Sequence, residues 1–358
     1  RTRNSASIVK GKVWLRQKAK IGQLPTQDRQ QRVNLLLNAI EADSMAPTVG
    51  IVGCGRWGSV HLQAALRLKA QGRLGRVVVA DIAEDRRAEV DGADAIYSGL
   101  FAMCHAEALH LVILATPNPS HEPLGMLVLD RGLRAIIEKP FASSPEGVQR
   151  LFSEAQRNAC YVTSGHLLRH HAGIQAIENS VRNNVLGATK HMEYTRQTTR
   201  PKPEGTTILE GLASHGLNTI EFMLNESQEL RLLSTEYHLP DGTSTELSLA
   251  TGAVIRYAIT GGPKAEEHAR VNVSWSAEKE IREFAVTGEK GSTSIDFGQH
   301  QTFILNGQSQ ATNATHGPLE AQILDALTRT ETTTENRLEL MRTAQLLKDI
   351  LTWPTQQN

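Results

Sequence analysis

Cysteine is scarce in this chain of 358 residues, and its three cysteines, Cys54, Cys104 and Cys160, lie far apart in the sequence. Their odd number and the lack of a C-x-x-C pair argue against disulfides and a zinc site, so we expect no metal centre and a reducing, cytoplasmic location. Lys plus Arg and Asp plus Glu both number 38, so the formal net charge is zero. The charge balance therefore gives no indication of a nucleic-acid partner. No apolar run is long enough for a membrane span, and the basic start lacks the apolar segment of a signal peptide.

The character of the sequence changes twice along the chain. Residues 1–44 are rich in Lys, Arg and Gln, with one candidate helix from about Thr26 to Ala42, and we interpret them as an N-terminal extension. In residues 45–165, short apolar runs alternate with helix-length segments, which predicts a doubly wound parallel sheet of the α/β class. In residues 166–358, glycine-containing turns separate strand-like segments, which predicts a second, α+β domain with a large, open, mostly antiparallel sheet.

Specific elements follow from these patterns. The predicted strands of the first domain are 49–52, 76–80, 111–115, 135–137 and 161–163, with a helix over 56–70. Those of the second domain are 190–197, 230–238, 245–250, 253–260, 271–276 and 281–286, followed by helices near 318–328 and 335–351. Because ligands of parallel sheets bind beyond the carboxyl ends of the strands, we expect the functional residues of the first domain at those ends.

The first strand leads into a glycine-rich turn. Gly53, Gly55 and Gly58 have the G-x-G-x-x-G spacing that lets backbone N–H groups approach a pyrophosphate at a helix N-terminus. Arg56 and Trp57 lie inside the same motif. A dinucleotide is therefore the predicted cofactor.

The second strand ends at Asp81, whose carboxylate can bind the adenosine ribose hydroxyls and repel a 2′-phosphate. We therefore expect NAD. Arg56, Arg86 and Arg87 lie near enough in the sequence to weaken this preference, which leaves NADP as an alternative cofactor. A helix-capping role is the structural alternative for Asp81.

Two further strand ends carry polar residues. The loop Thr116–His121 follows the third predicted strand and is either a helix start or a contact to the nicotinamide ribose through Asn118. Glu138 and Lys139 follow the next strand, where partial burial can lower the pKa of a lysine toward neutrality and suit it to proton exchange with a substrate hydroxyl. A solvated turn is the structural alternative for Lys139.

His215 lies in a segment with an apolar helical face, and Asn218 follows three residues later on the same side of that helix. A histidine there can act as an acid or base, or orient a substrate hydroxyl, although a structural role is the alternative for any single histidine. Arg169 could meet an anionic group of the substrate or lie on the surface. The predicted cofactor-binding residues are Gly53, Gly55, Arg56, Trp57, Gly58, Asp81, Thr116, Pro117, Asn118, His121, Glu138 and Lys139, and the predicted substrate-binding residues are Lys139, Arg169, His215 and Asn218.

The order of these motifs over residues 47–351 resembles the glucose–fructose oxidoreductase/inositol dehydrogenase (Gfo/Idh/MocA-like) family. The resemblance implies a Rossmann domain, an open-faced second domain that often makes oligomer contacts, and hydride transfer between NAD(P) and a hydroxyl-bearing carbon of a sugar or cyclitol. It further implies that Lys139 is the catalytic lysine, that His215 is the histidine of the catalytic site, and that the chain forms a homodimer or homotetramer.

The sequence departs from this pattern at two positions. The family often has an acidic residue four positions before the histidine and an aspartate three positions after it, whereas this chain has Gly211 and Asn218. These departures are compatible with an altered substrate, with a mechanism centred on Lys139, or with a protein that senses dinucleotide without catalysis. A reductase of a non-sugar substrate is a further alternative.

Overall fold

The computed structural model describes residues 46–240, 246–260, 268–299 and 301–353. The helix predicted near Thr26–Ala42 lies outside these residues. Among the described helices, none is both long enough and apolar enough to cross a lipid bilayer.

The first half of the described chain forms a six-stranded, fully parallel sheet in the order β3-β2-β1-β4-β5-β6. Its strands are β1 Thr48–Val52, β2 Arg76–Ala80, β3 Ala95–Tyr97, β4 Leu111–Leu114, β5 Arg134–Ile137 and β6 Val162–Ser164. Its connecting helices are α1 Arg56–Ala70, α2 Glu84–Ala88, α3 Leu100–Ala106, α4 His121–Asp130 and α5 Pro145–Arg157. The strand order reverses between β1 and β4, which opens a ligand crevice at their carboxyl ends.

The second half forms an eight-stranded sheet in the order β14-β13-β12-β11-β7-β10-β9-β8. Its strands are β7 Thr189–Gln197, β8 Leu230–His238, β9 Gly252–Ile259, β10 Ala269–Ser274, β11 Ile281–Gly288, β12 Ser292–Asp296, β13 Thr302–Leu305 and β14 Gln308–Ala311. Neighbouring strands are antiparallel except for the parallel pair β7 and β10. The two predicted sheets are therefore confirmed.

One predicted strand, 245–250, is wrong. Residues Leu247–Leu249 form a single 3₁₀ turn that leads into β9 instead. The alternation of Leu247, Ser248 and Leu249 imitates a strand pattern, but Leu249 is exposed, so the alternating leucines do not form one buried face of a sheet.

Helices α6 Ala172–Arg182 and α7 Ser214–Met223 cover one face of the second sheet. A π-helical turn over Leu209–Ala213 runs directly into α7. Leu217, Ile220 and Met223 of α7 share a core with the fully buried Tyr194, Tyr257 and Phe284 of the sheet. This packing fixes the position of α7 and of the turn that precedes it.

The last two described helices, α8 Pro318–Thr328 and α9 Thr334–Thr352, return to the first sheet. Ile323 and Ala326 of α8 are fully buried in a core that includes Val49 of β1. Helix α9 joins both halves, because Leu340 packs into a core of the first sheet whereas Ile350 packs into the core of the second.

Candidate functional site

The glycine-rich turn lies between β1 and α1. Gly53 has a φ of 96°, and a Cβ atom there would lie 2.5 Å from the carbonyl oxygen of Ala115. At Gly58 a Cβ atom would lie 1.7 Å from the carbonyl oxygen of Gly53. The protein itself thus requires glycine at both positions, because no side chain fits there.

Gly55 is different, since a Cβ atom there would meet nothing within 4 Å and its φ of −73° suits any residue. Gly55 is the N-cap of α1, and no described side chain caps this helix or places an acidic group in its first turn. Open space in front of backbone N–H groups at a helix N-terminus fits a dinucleotide pyrophosphate. Arg56 is exposed and Trp57 half-buried at the same end of the helix.

Asp81 lies at the end of β2, as the sequence predicts, and its carboxylate braces the glycine-rich turn. Oδ2 accepts a hydrogen bond of 2.7 Å from the backbone N–H of Cys54, and Oδ1 accepts one of 2.9 Å from Ala83. Burial and the negative charge of Asp81 raise the pKa of the Cys54 thiol to about 11, so Cys54 is a weak nucleophile. Arg87 donates to the carbonyl oxygens of Asp81 and Ile82.

His121 joins the loop after β4 to the loop after β5. Its ring nitrogens lie 2.7 Å from the carbonyl oxygen of Thr116 and 2.8 Å from that of Pro140. Pro117 and Asn118 belong to the loop after β4. The side-chain nitrogen of Asn118 lies 3.5 Å from a carboxylate oxygen of Glu210 in the π-helical turn. The predicted loop residues thus lie between the glycine-rich turn and the second domain.

Glu138, the residue before Lys139, is buried. One carboxylate oxygen lies 2.7 Å from His61 Nε2, and the other accepts the backbone N–H of Lys139 at 3.1 Å. Neighbouring Gly165 leaves no room for a side chain, because a Cβ there would lie 2.7 Å from the Glu138 carboxyl carbon. These contacts fix the backbone at the end of β5.

The side chain of Lys139 bridges the two halves of the protein. Nζ donates to the carbonyl oxygen of Glu210 at 2.6 Å and to that of Gly211 at 3.3 Å. Burial lowers the pKa of Lys139 below its ordinary value, and the negative charges of Glu138 and Glu210 oppose that shift.

Two histidines, the buried His166 and the half-buried His215, lie beside this lysine. The rings of His166 and His215 meet edge to face with their centroids 6.0 Å apart. Burial, followed by the positive charge of Lys139, lowers the pKa of His166 to about 3 and that of His215 well below its ordinary value. Both are neutral at physiological pH. Within the described residues, both ring nitrogens of His166 and Nδ1 of His215 have no hydrogen-bond partner.

The structure brings together Lys139 and His215, as the sequence suggests, but it places Arg169 and Asn218 against α9. Arg169 forms an ion pair of 3.0 Å with Glu339, and Asn218 Nδ2 lies 3.4 Å from the hydroxyl of Thr343. Among the described residues, no group of three or more His, Cys, Asp or Glu side chains could hold a metal ion.

Sequence reasoning missed His61, His166 and Glu210 as parts of this site. His61 follows Gly58 by three residues on α1, so helical spacing from the glycine-rich turn could have indicated it. His166 lies two residues beyond β6, the strand next to β5, and the strand-end rule could have found it. Glu210 contributes its backbone carbonyl, for which residue type gives no signal.

Residues 48–166 match the family described as "Oxidoreductase family, NAD-binding Rossmann fold" (Gfo/Idh/MocA). These residues, about a third of the chain, are similar to this family. The resemblance predicted from the motif order is confirmed. Relatives of this chain include proteins named as inositol 2-dehydrogenases. The relative from Streptomyces avermitilis is 24% identical over 230 residues, covering 63% of this chain and 66% of its own length. The relative from Rubrobacter xylanophilus is 30% identical over 155 residues, covering 42% of this chain and 43% of its own length.

Solved structures share this fold over most of the chain. A levoglucosan dehydrogenase in complex with NADH and L-sorbose has a TM-score of 0.70 at 14% identity and covers 86% of this chain and 96% of its own. GenD2 from gentamicin A biosynthesis, in complex with NAD, has a TM-score of 0.69 at 18% identity and covers 85% and 93%. At these identities the likeness establishes the fold.

Proposed function

We propose that this protein is an NAD-dependent oxidoreductase that transfers hydride between nicotinamide and a carbon bearing a hydroxyl or keto group in a sugar-like or cyclitol substrate. Lys139 is the general acid/base in this proposal. The observation that carries it is the Lys139 ammonium, which lies at the carboxyl end of β5 in the crevice beside the glycine-rich turn. The neutral histidines His166 and His215 lie next to it.

The residues of this chain supply positioning and proton transfer. When bound, the nicotinamide ring accepts or supplies the hydride. Lys139 takes the hydroxyl proton during oxidation and returns it during reduction, and its lowered pKa brings the free amine closer to the working pH. One of its three N–H donors has no acceptor among the described residues and can reach a substrate oxygen.

The histidines supply hydrogen bonds for a polyhydroxylated substrate. A neutral imidazole offers one donor and one acceptor, which matches a hydroxyl group that also donates and accepts. The unpartnered ring nitrogens of His166 and His215 have this capacity free. The names of the relatives, inositol 2-dehydrogenase and D-apiose dehydrogenase, agree with such a substrate class. Because Arg169 and Asn218 bond to α9, substrate contact in this proposal rests on Lys139, His166 and His215.

The test compares Lys139→Met with Lys190→Met, an exposed lysine of β7 that serves as the control. Each protein is titrated with NADH by fluorescence and then assayed with NAD against myo-inositol, D-apiose and levoglucosan, and with NADH against L-sorbose. We expect Lys139→Met to lose turnover by about 100-fold or more while NADH affinity stays nearly unchanged. A fully active Lys139→Met variant contradicts the assignment of the base.

The same experiment addresses the alternative of a dinucleotide-sensing protein. That alternative predicts saturable NADH binding by the unmodified protein without turnover of any polyol or ketose in the panel. Such a result contradicts the proposed activity toward sugars and cyclitols but remains consistent with the proposed cofactor site. If the unmodified protein does not bind NADH, both the proposed oxidoreductase and the dinucleotide-sensing alternative are contradicted.

A further inference from the structure

The ammonium of Lys139 is held by backbone rather than by a carboxylate. Its acceptors are the carbonyl oxygens of two successive residues, Glu210 and Gly211, in the π-helical turn Leu209–Ala213. The turn closes with a hydrogen bond from the Ser214 N–H to the Leu209 carbonyl, five residues back, which leaves the following carbonyls for other donors. The hydroxyl of Ser214 donates to the same Glu210 oxygen at 2.9 Å.

Glycine is required at residue 211 because neighbouring side chains leave no room for a Cβ atom. A Cβ atom at this position would lie 2.5 Å from Cζ2 and 2.7 Å from Cη2 of Trp275, and 3.0 Å from Thr206 Cγ2. Gly211 does not have a positive φ, so backbone conformation does not demand glycine. The edge of the indole ring occupies the volume into which a side chain at residue 211 would project.

Trp275 is well anchored for this contact. It directly follows β10, its backbone N–H donates to the Thr251 carbonyl at 2.7 Å, and its ring belongs to the core of the second domain with 5% of its surface exposed. A buried aromatic ring in a packed core shifts only at a cost. The ring therefore prevents the backbone at Gly211 from moving toward it.

We propose that Trp275 is a positioning residue for Lys139: its indole ring, packed against Gly211, holds the π-helical turn where two carbonyl oxygens accept hydrogen bonds from the Lys139 ammonium. This inference deepens the proposed function and rests on its assignment of Lys139 as the acid/base. It also explains how the site operates with glycine at residue 211, because backbone carbonyls supply the acceptors there.

The arrangement sets the electrostatics around the amine. Carbonyl dipoles favour the charged ammonium, as do the carboxylates of Glu138 and Glu210, whereas burial opposes it. His166 and His215, which also face Lys139, are neutral and contribute little charge. Moving the Gly211 carbonyl away removes one favourable dipole and shifts the balance toward the free amine.

The test is a double-mutant cycle with four proteins: the unmodified protein, Gly211→Ala, Trp275→Leu and Gly211→Ala/Trp275→Leu. The added methyl group clashes with the tryptophan ring in the single variant, whereas leucine leaves room for it in the double variant. The readout is the titration midpoint of the Lys139 amine, followed by NMR of ¹³C-labelled lysine ε-methylenes and assigned with Lys139→Met. This measurement needs no substrate.

We expect Gly211→Ala to lower the midpoint by about one pH unit and the double variant to return it at least halfway. NADH affinity, measured by fluorescence, should be the same in all four proteins and reports that the first domain is intact. If Trp275→Leu does not fold, Trp275→Phe takes its place in the cycle. An unshifted midpoint in Gly211→Ala, or a shift that the second substitution does not reverse, overturns the proposal.

Failure of the proposed function gives a different pattern. A protein that turns over no sugar or cyclitol can still show the full midpoint shift and its reversal, which leaves the role of Trp275 intact. Conversely, turnover that depends on Lys139 together with an unchanged midpoint in Gly211→Ala supports the proposed function and refutes the positioning role.

Discussion

Glu138 and His61 are joined by a contact of 2.7 Å between a carboxylate oxygen and Nε2, deep in the interface between β5 and α1. His61 is fully buried and Glu138 is 5% exposed. Because α1 begins at the glycine-rich turn and Glu138 also accepts the N–H of Lys139, this contact connects the glycine-rich turn to the backbone of the proposed acid/base.

Replacing His61 with leucine tests this tie. The substitution leaves a buried carboxylate oxygen without its partner, and we expect the free energy of unfolding to fall by about 1–3 kcal/mol in urea denaturation. Gln63→Ala, at an exposed position of the same helix, is the control and should stay within about 0.5 kcal/mol. Equal stabilities of the two variants would show that the contact does not stabilise the fold.

Substitutions at two glycines of the glycine-rich turn should affect cofactor binding and protein stability separately. A Cβ at Gly55 meets no protein atom, so Gly55→Ala should cost at most about 1 kcal/mol of stability, the scale of an N-cap change. It should nevertheless weaken NADH binding about tenfold or more, since a methyl group displaces the pyrophosphate from its N–H donors. Gly58→Ala should lose about 1–3 kcal/mol of stability because its Cβ clashes with Gly53. Unchanged NADH affinity in Gly55→Ala would contradict the pyrophosphate site.

Asp81 should determine the preference for NADH over NADPH. In Asp81→Ser the carboxylate that repels a 2′-phosphate is gone, and the ratio of the two dissociation constants should move toward NADPH by about tenfold. NADH binding itself should weaken, because the Cys54 N–H loses its acceptor. Fluorescence titration with both dinucleotides gives the ratio, with Asp85→Ser at an exposed position as the control. A ratio that matches the control would place the discrimination elsewhere.

Two buried glutamates should make the protein less stable in alkaline solution. Burial raises the pKa of Glu221 to about 8 and that of Glu339 to about 7, despite the nearby Arg342 and Arg169. The folded protein keeps these protons while the unfolded chain releases them above about pH 4.5. Stability is therefore greatest below that pH for these groups and is lost as the pH rises through 7 to 8.

We expect the free energy of unfolding to fall by on the order of 5–7 kcal/mol between pH 5 and pH 8.5 through these groups. Glu221→Gln should flatten the profile, whereas Glu289→Gln, at an exposed position, should follow the unmodified protein. Urea denaturation across this pH range gives the profile. A Glu221→Gln profile as steep as that of the unmodified protein would contradict the role of Glu221.

The sequence predicted the elements whose burial is uniform. Val77, Val78 and Val79 of β2 are covered on both faces, so the strand reads as an unbroken apolar run. The strand β3 Ala95–Tyr97 was not predicted, because it is three residues long and only partly buried. The same holds for β14 Gln308–Ala311, whose polar residues receive their conformation from pairing with β13 rather than from their own pattern.

The candidate site divides in a similar way. Lys139 and His215 lie in motifs that a reader of the sequence can find. The hydrogen-bond acceptors of Lys139 are backbone oxygens, and the contact between Gly211 and Trp275 depends on how β10 packs against the π-helical turn. Spacing along the chain contains no information on either, since both arise from contacts between segments far apart in sequence.

Helices α8 and α9 follow every strand of the second sheet in the chain, yet Ile323, Ala326 and Leu340 complete the cores of the first. During translation, the dinucleotide-binding half leaves the ribosome before the helices that finish its interior. Its apolar surface over β1 stays open to water until residues beyond 318 have been synthesised. The half that is made first is therefore finished last.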